Sequence, residues 1–133
     1  MTKEVLLQEA KIASENAYVP YSHFKVGAAL LCKDGRIFHG ANIENASYPL
    51  TMCAERNALY HAYMNGYHKD DFVALALIGD TDGPIAPCGA CRQVIQELFP
   101  MHAPIYMGNL KGDIRETNVV ELLPFAFSPE DLK

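Results

Sequence analysis

The chain has 133 residues, half of them hydrophobic and a fifth charged, with a formal net charge of −5 at pH 7 and four cysteines. A composition this apolar excludes a disordered chain, and the length suits one domain that can build a core without disulfide staples. The acidic balance weighs against nucleic acid and anionic membranes as partners, and no stretch approaches the roughly eighteen consecutive apolar residues of a membrane span.

Residues 2–17 set Val5, Leu6, Ala10, Ala13 and Ala17 at helical spacing behind Thr2, a suitable N-cap. Pro20 ends that helix, and residues 21–25 form a polar-aromatic loop. Apolar runs at 26–32 and 36–41 flank Lys33-Asp34-Gly35, which predicts a β-hairpin. Residues 42–52, with Pro49 and several Asn and Ser, read as loop, and 53–63 as a helix stopped near Asn65-Gly66. The nearly unbroken apolar run 72–78 predicts a strand covered on both faces.

A turn-rich stretch, 79–87, then leads into a helix over 89–99, with Val94, Ile95 and Leu98 as its buried stripe. Residues 104–107 predict a strand and 119–123 a short helix stopped by Pro124. The order α-β-β-α-β-α-β-α predicts a single α/β domain over 1–133, with helices packed on a mixed sheet whose later strands run parallel. The N-terminus carries an acid early and has no apolar signal core, so the protein reads as cytoplasmic. In that reducing compartment cysteines serve as metal ligands or free thiols rather than disulfides.

Two segments carry the chemistry: Cys53-Ala54-Glu55 and Pro87-Cys88-Gly89-Ala90-Cys91. Each stands where a loop becomes a helix, and helix N-termini stabilise thiolates through unpaired N–H groups and a partial positive charge. Cys53, Cys88 and Cys91 could hold Zn²⁺ and leave a fourth tetrahedral position for water. Arg56 is a candidate hydrogen-bond donor to these thiolates. Glu55 separates a catalytic from a structural site. Positions i and i+2 point apart on a regular helix, so Glu55 and Cys53 can serve one centre only if Cys53 sits at the helix edge in non-helical geometry.

A Cys-x-x-Cys alone also suits a redox pair or half of a structural zinc site. A structural site is closed by a fourth ligand at short spacing, whereas Cys53 and Cys88 are 35 positions apart and none of the five histidines accompanies either segment. Cys32 falls in a strand pattern and reads as a buried thiol.

Taken with these segments, Tyr21-Ser22-His23-Phe24-Lys25-Val26-Gly27-Ala28-Ala29, Gly40-Ala41-Asn42-Ile43-Glu44-Asn45-Ala46-Ser47-Tyr48 and Cys53-Ala54-Glu55-Arg56-Asn57-Ala58 make the chain resemble the small, homotetrameric, zinc-dependent cytidine deaminases over nearly its whole length. The resemblance implies a three-layer α/β fold, a mixed sheet of about five strands with helices on both faces. It implies one Zn²⁺ per subunit and Glu55 as proton shuttle in hydrolytic deamination of cytidine and 2′-deoxycytidine. It further implies that Asn42 and Glu44 bind the ribose 3′-hydroxyl, that Phe24 contacts the pyrimidine and that the Ala54 backbone helps hold the base. Ala46, Tyr48 and Phe125 would serve a neighbouring subunit's site.

A carboxylate and an amide acting on sugar hydroxyls favour a neutral nucleoside, since Lys25 is the nearest candidate to clamp a 5′-phosphate and one lysine makes no clamp. Three competitors are a deaminase of another aminopyrimidine compound such as an aminoacylated nucleoside antibiotic, a nucleic-acid editor, and a non-catalytic zinc-stabilised binding module. The ribose motif opposes the first, the short acidic chain the second, and Glu55 beside a ligand the third.

Overall fold

Thr2 starts the fold: in the computed structural model, which describes residues 1–132, its hydroxyl accepts the Val5 N–H at 3.2 Å and caps α1 (Lys3–Ser14). The helix stops three residues short of the predicted Ala17. Its end tightens into i→i−3 bonds, with the Glu15, Asn16 and Ala17 N–H groups donating to Ile12, Ala13 and Ser14 carbonyls. The predicted hairpin forms as β1 (Val26–Cys32) and β2 (Ile37–Ala41), antiparallel, with Gly35 at φ 91 in the turn. α2 (Ala54–Met64), β3 (Phe72–Gly79), α3 (Gly89–Leu98) and β4 (Ile105–Asn109) follow.

One strand escapes the sequence reading. β5 (Ile114–Thr117) folds back antiparallel on β4 before α4 (Val119–Leu122) closes the order. Its residues, Ile-Arg-Glu-Thr, are exposed or half-buried at the sheet edge and so lack an apolar strand's signature. The sheet order is β2-β1-β3-β4-β5. β3 and β4 run parallel as expected; β5 does not, because a short turn with Gly112 at φ 94 returns the chain directly beside β4.

The sheet is the middle of three layers. β3 sends Ala74, Ala76 and Ile78 towards Leu6, Leu7 and Ala10 of α1, and Leu75 and Leu77 towards Ala58, Leu59 and Ile95 on the α2–α3 side. This alternation of faces makes a doubly covered strand read as one apolar run. On α3 the fully buried line is Cys91, Ile95 and Phe99, one helical turn apart, while Val94 and Leu98 are half-buried beside it. The predicted stripe thus packs on the core as expected, with Ile95 at its centre, but the buried line extends to Cys91 and Phe99, which the stripe did not include.

Gly40 brings α2 directly onto the sheet. A Cβ at this position would meet the Ala54 carbonyl and lie 2.5 Å from the Ala58 nitrogen, both backbone atoms that cannot step aside. Gly40→Ala therefore destabilises by about 3 kcal/mol or more, which scanning calorimetry reads as a melting point lowered by roughly 10 °C.

Topology fixes one busy end of the sheet. β1 is antiparallel to both neighbours, so Val26 pairs with Gly79 and Gly27 with Ala41. The start of β1, the ends of β2 and β3, and the loops entering α2 and α3 therefore converge outside the carboxyl end of β3, where open α/β sheets form clefts. Among the described residues no helix is long and apolar enough to cross a membrane.

Candidate active site

Cys53 and Cys88 are the N-caps of α2 and α3, both in extended backbone (ψ 157 and 169). This geometry answers the i, i+2 difficulty: Cys53 stands outside the helix while Glu55 lies within its first turn. Cys91 lies in the first turn of α3 and is fully buried. The three Sγ atoms lie within 4.8 Å of one another, with 3.9 Å between Cys53 and Cys88. Tetrahedral zinc at about 2.3 Å from each sulfur spaces them roughly 3.8 Å apart, so the donor set and its spacing fit that ion.

The charge distribution is uneven. The Arg56 Nη2 donates to Cys53 Sγ at 3.3 Å. Hydrogen bonding from Cys91, followed by Arg56, outweighs burial and holds the Cys53 thiol down at about 5, while the same sharing pushes Cys91 far above the ordinary cysteine range. Glu55 is only 4% exposed, and burial, reinforced by the charge on Cys53, pushes its carboxyl above the usual range. Cys32 lies elsewhere, in β1, where burial and nearby Asp34 and Asp71 push its thiol up to about 11.

A second group gathers at the same end of the sheet. Asn42 and Glu44 are buried, and the Glu44 Oε1 accepts the N–H groups of Tyr21 and Ser22, each at 3.1 Å. Hydrogen bonding from the Ser22 side chain, then from these two N–H groups, holds the Glu44 carboxyl below its usual range. It is thus a carboxylate at neutral pH. Phe24 is partly exposed, and Ala54 is buried beneath Gly40. Ala46, Tyr48 and Phe125 are all exposed, Phe125 completely and with its backbone in the left-handed region (φ 54); of the three, Tyr48 touches this group through an edge-on contact with the Tyr21 ring, centroids 6.2 Å apart.

Three supporting residues were missed in the sequence. Ser22 partners the Glu44 carboxylate. Asn57 donates from Nδ2 to the Ala41 carbonyl at 2.7 Å and ties α2 to the end of β2. Arg92 donates to the carbonyls of Pro87 and Leu122 and so fixes the turn entering α3. Ser22 and Asn57 stand in segments that carry the resemblance but were assigned no role, and Arg92 left the signal of a cation directly after Cys91 in the Cys-x-x-Cys segment.

The family described as "Cytidine and deoxycytidylate deaminase zinc-binding region" matches residues 1–107. The chain belongs to this family. A cytidine deaminase of Halalkalibacterium halodurans is 58% identical over 132 residues, which cover 99% of this chain and 98% of the relative. The crystal structure of a cytidine deaminase from Burkholderia pseudomallei aligns with a TM-score of 0.93 at 54% identity, over 96% of this chain and 100% of the other. That from Mycobacterium tuberculosis gives 0.81 at 38% identity, over 96% and 98%.

The family identifies zinc as the metal that the three cysteines suit, and its α/β fold is the one described above. Within this cytidine deaminase chain the three cysteines, Glu55, Asn42 and Glu44 all fall inside the matched residues, whereas Phe125 lies beyond them.

Proposed function

We propose that this chain hydrolyses the 4-amino group of cytidine and 2′-deoxycytidine, giving uridine or 2′-deoxyuridine and ammonia. The observation that carries the reading is a buried carboxyl, Glu55, beside three gathered thiols, one donor short of a closed tetrahedral shell. Cys53, Cys88 and Cys91 hold the zinc, with Arg56 and the two helix N-termini offsetting thiolate charge. The metal, when bound, supplies the acidity that makes hydroxide available near neutral pH.

Glu55 takes one proton of the attacking water and passes it to N3 of the pyrimidine; it then takes the second proton from the new C4 hydroxyl and delivers it to the amine, which leaves as ammonia while the C4 carbonyl forms. Burial suits it to this exchange, because a carboxyl held above its usual range gives up a proton nearer to working pH. Phe24 and the Ala54 backbone hold the base, while Asn42 and Glu44 hold the ribose 3′-hydroxyl. A carboxylate in a chain of net charge −5 favours the nucleoside over its 5′-phosphate. Ammonia release from a panel of cytidine, deoxycytidine, deoxycytidylate and an aminoacylated cytosine nucleoside, with zinc measured on the same preparation, tests the reading. Turnover of cytidine at zinc stoichiometry supports it, and its absence refutes it.

Glu44→Ala removes a charged acceptor of the sugar hydroxyl. It is expected to raise the KM for cytidine about 10- to 100-fold, the range of a lost hydrogen bond to a charged group. Unchanged nucleoside kinetics would show that the sugar is read elsewhere.

The exposed Ala46, Tyr48 and Phe125 fit a homotetramer in which each subunit completes a neighbour's pocket. Such an enzyme loses activity on dissociation, and an active isolated monomer contradicts the sharing. Salvage of pyrimidine nucleosides in the cytoplasm is the setting this reaction suits.

A further inference from the structure

Asn42 spends both ends of its amide on the loop that precedes β1. Its Oδ1 accepts the Val26 N–H at 2.9 Å and its Nδ2 donates to the Phe24 carbonyl at 2.7 Å, so one side chain brackets the backbone on either side of Lys25. The rest of the loop is equally committed. Glu44 takes the Tyr21 and Ser22 N–H groups, His23 N–H donates to the Val19 carbonyl at 3.0 Å, and Phe24 N–H donates to the Ser22 hydroxyl at 3.0 Å. Tyr18 is bonded through its N–H to the Asn42 carbonyl and through its carbonyl to the Glu44 N–H, both at 2.9 Å.

This bonding sustains an uncommon backbone. His23, next to Phe24, has φ 57, in the left-handed region that non-glycine residues enter only when their surroundings fix them there. The ring of Phe24 is seated too. A Cβ on Gly79, at the end of β3, would come within 3.3 Å of Phe24 Cζ and 2.6 Å of Ile85 Cδ1, so the bare glycine leaves room for both side chains. Ile85 belongs to the core on the α2–α3 side, which places the edge of Phe24 on the face of the sheet that carries Cys91.

We infer that Asn42 is a positioning residue for the base as well as a contact for the sugar: together with Ser22 it fixes the loop that presents Phe24 to the pyrimidine. The inference rests on the reading that Phe24 meets the base. It has a consequence that a purely sugar-binding Asn42 lacks. A ligand with no sugar at all should feel the loss of the Asn42 amide.

The probe is pyrimidin-2-one, the free base, as a competitive inhibitor of cytidine turnover by zinc-loaded protein. Asn42→Asp keeps an acceptor for Val26 N–H but cannot donate to the Phe24 carbonyl. Ser22→Ala releases the Phe24 N–H and leaves the Asn42 bonds in place; it also removes the Ser22 side chain from Glu44, whose assigned contact is with the sugar that this probe lacks. Both are expected to raise the inhibition constant of the free base, Asn42→Asp by about tenfold, the scale of a lost aromatic stack, and Ser22→Ala by less. Phe24→Leu serves as the reference for that loss. Hydrogen exchange on the same zinc-loaded samples should show faster exchange over residues 20–27 in both variants, with α2 and α3 unchanged.

Base affinity weakened in both variants, with exchange raised only in that segment, supports the inference. Unchanged exchange overturns the fixing of the loop, and faster exchange with unchanged base affinity overturns its link to the base. If Phe24→Leu itself leaves base affinity unchanged while exchange in the Asn42 variant rises, the failure lies in the contact assigned to Phe24, and the inference falls with it.

Discussion

Glu55→Gln is expected to lower turnover of cytidine by about 10²- to 10⁴-fold while the protein keeps its zinc, its assembly and its melting behaviour. The expectation comes from what the substitution leaves alone. Glutamine has nearly the same shape and fits the same buried place in the first turn of α2. It cannot accept and return a proton, and that is the capacity the reaction needs. Burial already holds the Glu55 carboxyl above its usual range, so the neutral amide adds no desolvation cost at that position. The measurements are single-turnover deamination and metal content on the same sample. Near-normal turnover at full zinc would remove Glu55 from the proton path, whereas lost zinc would show that the carboxyl helps to hold the metal cluster together.

What the sequence displayed and what it concealed divide along physical lines. The β3 run was legible because a strand covered on both faces has apolar residues at successive positions, whichever face each one serves. Cys53 and Cys88 were legible because a proline-bearing loop meeting a helical pattern marks an N-cap locally. β5 was not, since its pairing with β4 owes more to the turn at Gly112 than to its own side chains. The buried line of α3 was read incompletely because Cys91, read only as a ligand, is also a core residue. The loop over 42–52 gave no hint that Ile43 bridges both Tyr18 and Met52, for isolated bridges carry no alternating pattern and Tyr18 belongs to a distant segment. The same holds for Asn42. The family resemblance implied a sugar contact for it, but the atoms it bonds belong to residues 24 and 26, and only the folded chain shows them.

Cys88→Ser is the second large effect, and it separates the metal from the helix. Serine is among the best N-cap residues, so the start of α3 survives the exchange of sulfur for oxygen. The thiolate does not survive, and a neutral hydroxyl is a poor zinc ligand. Zinc content after dialysis against a weak chelator is expected to fall to a small fraction of one per chain, with ammonia release falling in proportion, while far-ultraviolet circular dichroism stays unchanged. Cys91→Ser should lose zinc as well but adds a second cost. Cys91 is fully buried against the α3 core line, so its hydroxyl must find a partner or destabilise the fold by about 1–3 kcal/mol. The two variants therefore agree in metal content and differ in melting temperature. Full activity after verified zinc removal would overturn the metal assignment itself. Equal melting temperatures would instead mean that the Cys91 position tolerates a polar group, and that its thiol matters to the protein only through the charge it offers the metal.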